Sequence, residues 1–118
     1  MSVNSVCLTG NIVKDAELNQ TDSGSWVLNF TIAVKDRYFD RGEWKEYVNF
    51  IDLNVFGKRA QSLEHVCLKG TRIAVSGRLR QNTWTSKDER RRSKLVVIVN
   101  EVDFLSRIRS NDDEDDYE

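Results

Sequence analysis

Hydrophobic and polar positions alternate most clearly between Tyr47 and Phe56, in the stretch YVNFIDLNVF. One set of alternate positions is apolar around Leu53, and the other set holds Phe50 and Phe56 among polar residues. A period of two predicts a β-strand whose two faces have different uses. The stretch 26–34 alternates in the same way and predicts a second strand.

The period changes after Phe56. Over residues 57–68 the apolar residues recur at helical spacing, and Lys69-Gly70 supplies a cation and a glycine that predict the end of a helix. Residues 72–77 then return to a strand pattern. One helix is therefore predicted between two strands of a chain that is otherwise β.

Strands are also predicted over residues 3–13, with a bend or bulge at Gly10, and over 95–105, where both faces are apolar enough for burial. The strand that starts at residue 72 continues towards Trp84. Charged and aromatic residues 35–46 predict a projecting hairpin, and polar residues 86–94 predict a flexible loop. The resulting fold class is all-β: a five-stranded OB-fold barrel with one helix between strands 3 and 4 and long β-hairpin loops.

The charge is unevenly distributed along the chain. The formal net charge is -1, but residues 112–118 hold six acids and no base, which leaves 18 basic against 13 acidic residues in the rest. We expect one folded domain over residues 1–107 and a short disordered acidic tail over 108–118. No apolar run is long enough to span a membrane, so a soluble, cytoplasmic protein is expected.

The residues that usually carry catalysis or bind metals do not form a recognisable motif. Cys7 and Cys67 stand among apolar neighbours, which predicts two buried, reduced thiols. The chain has a single histidine, which is too few for a histidine-based metal site. Phosphate-binding glycine loops and zinc motifs are absent. We therefore expect no enzyme activity, no cofactor and no metal.

Aromatic residues interleaved with bases predict a surface that stacks unpaired nucleobases and neutralises phosphates. The candidate stacking residues are Tyr38, Phe50, Phe56 and Trp84. Phe56 has an alternative interpretation, as a cap on the barrel. The three arginines 90–92 could bind phosphates or could only form a solvated loop. Of the other rings, Trp26 is predicted in the core, Tyr47 is predicted to be structural, and Trp44 is either a ligand contact or a cross-strand partner within its hairpin.

The chain resembles the bacterial single-stranded-DNA-binding proteins over about residues 3–105. The resemblance rests on the elements Leu-x-Gly-Asn, Phe-Gly-Lys-x-Ala and Leu-Lys-Gly, in that order and spacing, together with NFTIAVKDRY and NTWT. It implies a homotetramer of OB folds that stacks single-stranded DNA on Tyr38, Phe50, Phe56 and Trp84. It also implies phosphate contacts at Lys58, Lys69, Arg80, Arg90, Arg91 and Arg92.

The chain departs from the family pattern at two places. Tyr38 and Phe50 stand where the family often has tryptophan, so the stacking area is smaller. Family members usually carry a long linker and an acidic tip that ends in hydrophobic residues, whereas here the linker is nearly absent. Partner binding through Asp115, Asp116 and Tyr117 is therefore either altered or lost, or partly restored by the Tyr117 ring.

The function expected from these observations is sequence-tolerant binding of single-stranded DNA, which protects it during replication, recombination and repair near the nucleoid. One alternative is a primosomal-type OB scaffold, a dimer that binds single strands in order to recruit a helicase loader. Another is a module that uses its OB face for a peptide, and its oligonucleotide affinity would depend only weakly on salt.

Overall fold

The computed structural model describes residues 2–105, which form six strands and one short helix. In chain order these elements are β1 (Val6–Ile12), β2 (Glu17–Gln20), β3 (Trp26–Asp40), β4 (Glu43–Phe56), α1 (Lys58–Leu63), β5 (Arg72–Thr85) and β6 (Arg91–Phe104).

Five of the strands close into a barrel. The sheet order is β1-β5-β6-β4-β3-β2. An additional antiparallel pairing of β1 with β3, at Asn11↔Ala33 and Ile12↔Ile32, closes the five strands other than β2 into a ring. The pairing of β4 with β6 is parallel, at Leu53↔Val97, and the other pairings are antiparallel. The predicted five-stranded OB barrel, with its helix between the third and fourth barrel strands, is confirmed.

Strand β2 was not predicted. Its four residues extend the sheet beyond β3, with Leu18 paired to Leu28. Only Leu18 in β2 is partly buried, so the segment shows too few apolar residues for the alternation that signals a strand.

The barrel interior is filled by the apolar sets that alternate along the strands. Leu28, Ile32, Leu53 and Val55 are fully buried. The predicted faces of β4 are thus confirmed. In β6, burial on both faces holds for Val96–Val99, whereas Leu95 and Phe104 at its two ends are exposed.

Two glycines allow backbones to approach closely. A Cβ at Gly10 would lie 2.5 Å from the Ala33 carbonyl oxygen, so this glycine permits the β1–β3 contact that closes the barrel; β1 passes through it without a register shift. The register shift lies instead in β5, at Ser76/Gly77, where a Cβ on Gly77 would lie 2.1 Å from the Ile98 carbonyl oxygen.

The predicted helix over 57–68 is too long. Helix α1 ends at Leu63, and the Leu63 carbonyl accepts hydrogen bonds from the N–H groups of both Val66 (3.1 Å) and Cys67 (2.9 Å), which fold the chain into a turn and bury Cys67. Gly70 is therefore not the helix stop. It has φ of 90° in a later turn, where its N–H donates to the Ile12 carbonyl at 2.8 Å.

The predicted loop over residues 86–94 is only partly right, because 86–90 form a turn but 91–94 already belong to β6. β5 continues to Thr85, β6 begins at Arg91, and the connecting turn is held by the Ser86 N–H donating to the Arg90 carbonyl at 2.9 Å. Both faces of this two-stranded extension are exposed, so it can pair its backbone without apolar side chains, and hydrophobicity alone could not reveal it.

Burial also corrects two side-chain predictions. Cys7 is exposed on β1, whereas Cys67 is buried, and burial raises the pKa of the Cys67 thiol to about 11. Both cysteines are free thiols, as predicted. Tyr47, assigned to the structural face, is 58% exposed because it lies where β4 leaves the barrel, while Trp26 packs partly buried against the core as expected.

Candidate nucleic-acid interface

Strand β4 presents two phenylalanines to solvent. Phe50 and Phe56 occupy the alternate positions opposite buried Leu53 and Val55, and they are 67% and 38% exposed. Strand β4 ends at Phe56, because Gly57, with φ of 89°, turns the chain into α1.

Strand register places Trp84 on this same side of the sheet. Asn54 on β4 pairs with Ile98 on β6, which pairs with Arg78 on β5, and residues paired across a ladder point to the same face. Every second residue of β5 beyond Arg78 shares that face, which includes Arg80 and the 48% exposed Trp84. We call this surface of β4, β6 and β5, bearing Phe50, Phe56, Arg80 and Trp84, the outer face.

A direct contact across the outer face supports this placement. The guanidinium carbon of Arg80 lies 5.8 Å from the ring centroid of Phe56, within the range of a cation–π interaction. One predicted phosphate-binding residue therefore lies beside one predicted stacking ring.

Tyr38 lies elsewhere. It sits in the projecting part of the β3–β4 hairpin, residues 35–46, which we call the arm, and it is 47% exposed. Its cross-strand partner is Lys45, and the register of the arm is continuous back to Ala33↔Phe50. Alternation therefore places Tyr38 on the opposite side of the ribbon from Phe50. The structure brings three of the four predicted stacking residues onto one face, and the fourth onto the arm.

The arm contains a second aromatic cluster. The rings of Phe39 and Trp44, which are cross-strand partners, stand 5.5 Å apart with an edge-to-face angle of 66°. The guanidinium carbon of Arg37 lies 5.4 Å from the Trp44 centroid. Of the two roles open to Trp44, the structure shows the cross-strand partner.

Two of the predicted phosphate-binding cations, Lys58 and Lys69, lie between β4 and β5 in the chain. Lys58 opens α1 two residues after Phe56. Lys69 lies in the connection to β5, where its backbone N–H donates to Asp15 at 2.8 Å. Within residues 2–105, neither lysine side chain forms an ion pair.

The three arginines at the β5–β6 turn are partly neutralised. Asp88 lies 3.7 Å from Arg90 and 3.4 Å from Arg92, while Arg91 pairs with Thr85 in the ladder. A hydrogen bond from the Ser86 hydroxyl, with further bonds from the Arg90 N–H and the Arg92 side chain, lowers the pKa of Asp88. Arg90 thus ends the turn, and Arg91 and Arg92 begin β6, while all three side chains are exposed to solvent.

Sequence reasoning missed a polar group at the centre of the outer face. Asp52 accepts a hydrogen bond from the Thr31 hydroxyl at 2.5 Å and an ion pair from Lys94 at 2.6 Å. Burial raises the pKa of Asp52, but the hydrogen bonds from Lys94 and Thr31 and the charges of Lys94 and Lys14 outweigh it and hold the pKa below 3.8. The alternation of β4 placed Asp52 on the solvent side, but no sequence signal showed that Lys94 would lie in the neighbouring strand.

Arg59 has a structural role that its position in the Phe-Gly-Lys-x-Ala motif does not reveal. Its guanidinium donates through Nη2 to the Val99 carbonyl at 3.1 Å and through Nη1 to the Asn100 carbonyl. These bonds tie α1 to β6 beside the outer face.

Two further features of the described chain bear on its chemistry. In residues 2–105, no cluster of three or more histidine, cysteine, aspartate or glutamate side chains has the arrangement that a metal ion needs. The same residues include no helix with the length and apolar character of a membrane span. The predicted partner residues Asp115, Asp116 and Tyr117, and the whole tail 108–118, lie outside the described residues.

Relatives in sequence share this domain. The single-stranded DNA-binding protein of Borreliella burgdorferi is 36% identical over 88% of this chain and 70% of its own length. That of Treponema pallidum is 33% identical over 90% of this chain, but the match spans only 60% of the Treponema protein.

Solved structures share the fold. A Plasmodium falciparum SSB, solved in complex with ssDNA, superposes with a TM-score of 0.81 at 21% identity and covers 90% of this chain and 97% of its own. A deletion mutant of the Thermus aquaticus single-stranded DNA binding protein superposes with a TM-score of 0.78 at 26% identity, over 88% of this chain and 51% of its own. The profile of the single-strand binding protein family matches residues 3–105, which is the described barrel almost from end to end. The chain belongs to the single-strand binding protein family.

Proposed function

We propose that this protein binds single-stranded DNA without catalysing a reaction on it. The observation that carries the proposal is that Phe50, Phe56 and Trp84, all exposed, share one continuous face of an OB barrel with Arg80 among them. Relatives in the same family are named for binding single-stranded DNA.

Stacking supplies the sequence-tolerant part of the affinity. Every nucleobase has a flat aromatic face, so a solvent-exposed ring offers each stacked base about 1–3 kcal/mol whatever its identity. Phe50, Phe56 and Trp84 provide three such platforms on the outer face, and we assign the fourth to Tyr38 on the arm. Duplex DNA hides its base faces, so these platforms favour a single strand.

Cations around the rings supply the salt-dependent part of the affinity. The proposed phosphate contacts are Lys58, Lys69, Arg80, Arg90, Arg91 and Arg92. The pairs that Arg90 and Arg92 make with Asp88 are exposed to solvent, which screens them, so a phosphate can replace the carboxylate at little cost.

In the cell, we propose that the protein coats single strands exposed during replication, recombination and repair, in the cytoplasm at the nucleoid, and prevents re-pairing and nuclease attack. A homotetramer is the proposed assembly. The acidic tail, including Asp115, Asp116 and Tyr117, is proposed to recruit replication and repair proteins and to compete with DNA for the basic groove. Deletion of residues 110–118 should then raise DNA affinity at low salt.

Titration of the intrinsic tryptophan fluorescence with oligo-dT, and with a duplex of the same length, tests the proposal. We expect tight binding and strong quenching with the single strand only, and an affinity that falls with salt with a log–log slope of about 0.7 per neutralised phosphate. Equal affinity for the duplex contradicts the proposal. The solution mass, measured in parallel, distinguishes a tetramer from a dimer.

A further inference from the structure

Lys94 is a cation of the outer face to which no sequence motif points. On β6 it pairs with Asn82 of β5, and the alternation of β5 puts Asn82 on the same face as Arg80 and Trp84. Residues paired across a ladder share a face, so Lys94 belongs to the outer face as well. The next row of the ladder pairs Arg92 with Trp84. Lys94 therefore lies between two proposed phosphate contacts, Arg80 and Arg92.

The Lys94 ammonium is held by a single carboxylate. Its Nζ atom lies 2.6 Å from Oδ2 of Asp52, and within residues 2–105 it has no other acidic partner. An ammonium carries three N–H donors, so two remain for further acceptors. The Lys94 side chain is 54% exposed, and a phosphate can therefore reach them.

Asp52 does not depend on Lys94 alone for compensation of its charge. Its Oδ1 atom accepts a hydrogen bond from the Thr31 hydroxyl at 2.5 Å, and a second lysine, Lys14, lines the same cavity of about 300 Å³. The Asp52 side chain is 31% exposed, so water can take the place of the ammonium. Lys94 can thus turn to another anion without leaving a buried, uncompensated carboxylate behind.

The position of Asp52 nevertheless opposes binding of an anion. A carboxylate 2.6 Å from an ammonium cancels much of the charge that a phosphate would meet, and it repels the phosphate directly. Because solvent screens the pair, a phosphate can compete for the ammonium, but it must displace Asp52 to do so.

We propose that Lys94 is a further phosphate contact of the outer face and that Asp52, by holding its ammonium, lowers the affinity of this face for DNA. The inference rests on the proposed function. Removal of the carboxylate should then strengthen binding. A pair that only ties β4 to β6 leads to the opposite result, because its loss would let the two strands, and the rings beside them, move apart.

The test is a double-mutant cycle of Asp52→Asn and Lys94→Gln, titrated with oligo-dT at one salt concentration. Asparagine keeps the shape of aspartate and an acceptor for Thr31, and Asp52→Asn should raise the affinity about threefold. In the Lys94→Gln background the same substitution should change the affinity by less than about 1.5-fold, because the ammonium that Asp52 restrains is absent.

Salt dependence provides a second readout. In the Asp52→Asn background, Lys94→Gln should lower the log–log slope of affinity against salt by about 0.7, which corresponds to one phosphate, and Lys94→Arg should preserve the slope. The control Glu17→Gln removes a carboxylate that lines the same cavity but forms no ion pair within residues 2–105. It should leave the affinity within about 1.5-fold of the wild type.

Two results would overturn the inference while leaving the proposed function intact. An equal gain from Asp52→Asn with and without Lys94 would mean that net charge alone explains it. A loss of affinity in Asp52→Asn would show that the pair is a structural tie between β4 and β6. If the wild type binds no oligo-dT at all, the proposed function itself fails, and this inference fails with it.

Discussion

The outer face and the arm both display rings and cations in solvent, but the two regions use them differently. In the arm, Phe39 and Trp44 pack against each other and Arg37 covers Trp44. On the outer face, Phe50 and Phe56 are separated by Asp52 and Asn54 along β4. The rings of the arm stabilise a ribbon that has no core of its own, whereas the rings of the outer face are supported by the barrel beneath them.

The cations follow the same division. In the arm, Lys45 pairs with Asp40 at 3.2 Å and Lys35 reaches Glu46 at 4.0 Å. Lys58, beside the outer face, forms no ion pair within residues 2–105. Exposure therefore does not by itself identify a binding residue. Phe56 lies beside one guanidinium, that of Arg80, whereas Trp44 contacts both a neighbouring ring and a guanidinium.

The largest contrast should appear in stability. Gly77→Ala places a Cβ against the Ile98 backbone in the barrel, and Gly42→Ala only forces alanine to φ of 83° at the open tip of the arm. We expect a loss of about 3 kcal/mol in the free energy of unfolding for the first and about 1 kcal/mol for the second. Urea unfolding measures both, and equal losses would mean that the barrel is no more rigidly packed than the arm.

The next contrast concerns DNA affinity. Trp84→Ala should cost about 1–3 kcal/mol in binding to oligo-dT, because one stacking platform is lost. Trp44→Ala should cost less than about 0.5 kcal/mol, since that ring already packs edge to face against Phe39. Titrations at one salt concentration compare the two, with Trp84→Phe as the control that keeps a ring. A larger loss for Trp44→Ala would reverse the assignment of the regions.

A smaller contrast is expected in salt dependence. Lys58→Gln removes a cation without an acidic partner, so the log–log slope of affinity against salt should fall by about 0.7. Lys45→Gln removes a cation already neutralised by Asp40, and its slope should stay close to that of the wild type. Binding isotherms over a range of salt give both slopes, and the same decrease in both variants would show that internal pairing does not matter.

The smallest effect is the pH dependence of the central ion pair. The pKa of Asp52 lies below 3.8 in the folded chain, so its contribution to stability is present above that pH and is lost as the pH falls through the folded value. The free energy of unfolding of the wild type should exceed that of Asp52→Asn by at most about 1 kcal/mol at neutral pH, and the difference should shrink as the pH falls below 3.8 and through the folded pKa. A difference that persists in acid would mean that packing, rather than charge, separates the variants.

The barrel could be predicted because apolar and polar residues alternate along its core strands. The exposure of Phe50 and Phe56 could be predicted because the alternate positions on the other face of β4 are apolar. The sequence could not predict contacts that depend on register between distant strands. The pair of Asp52 with Lys94 joins two residues that are 42 positions apart in the chain. The polarity of residues 91–94 concealed that they belong to a strand.

The arm shows the same limit of prediction from the sequence. The cross-strand role of Trp44 follows from the register Phe39↔Trp44, which the sequence alone does not reveal. Tyr38 was predicted to stack bases because it is an aromatic residue among cations. The face of the hairpin on which it lies depends on the β3–β4 register, which the local sequence does not reveal.

Single-tryptophan proteins test the central claim most directly. One variant keeps only Trp84 (Trp26→Phe, Trp44→Phe), and its counterpart keeps only Trp44 (Trp26→Phe, Trp84→Phe), so a ring remains at every position. On saturation with oligo-dT, the fluorescence of Trp84 should be strongly quenched by the stacked base and that of Trp44 should barely change. Strong quenching of Trp44 with an unaffected Trp84 would show that the DNA stacks on the Phe39–Trp44 pair instead of the outer face, and would contradict the account.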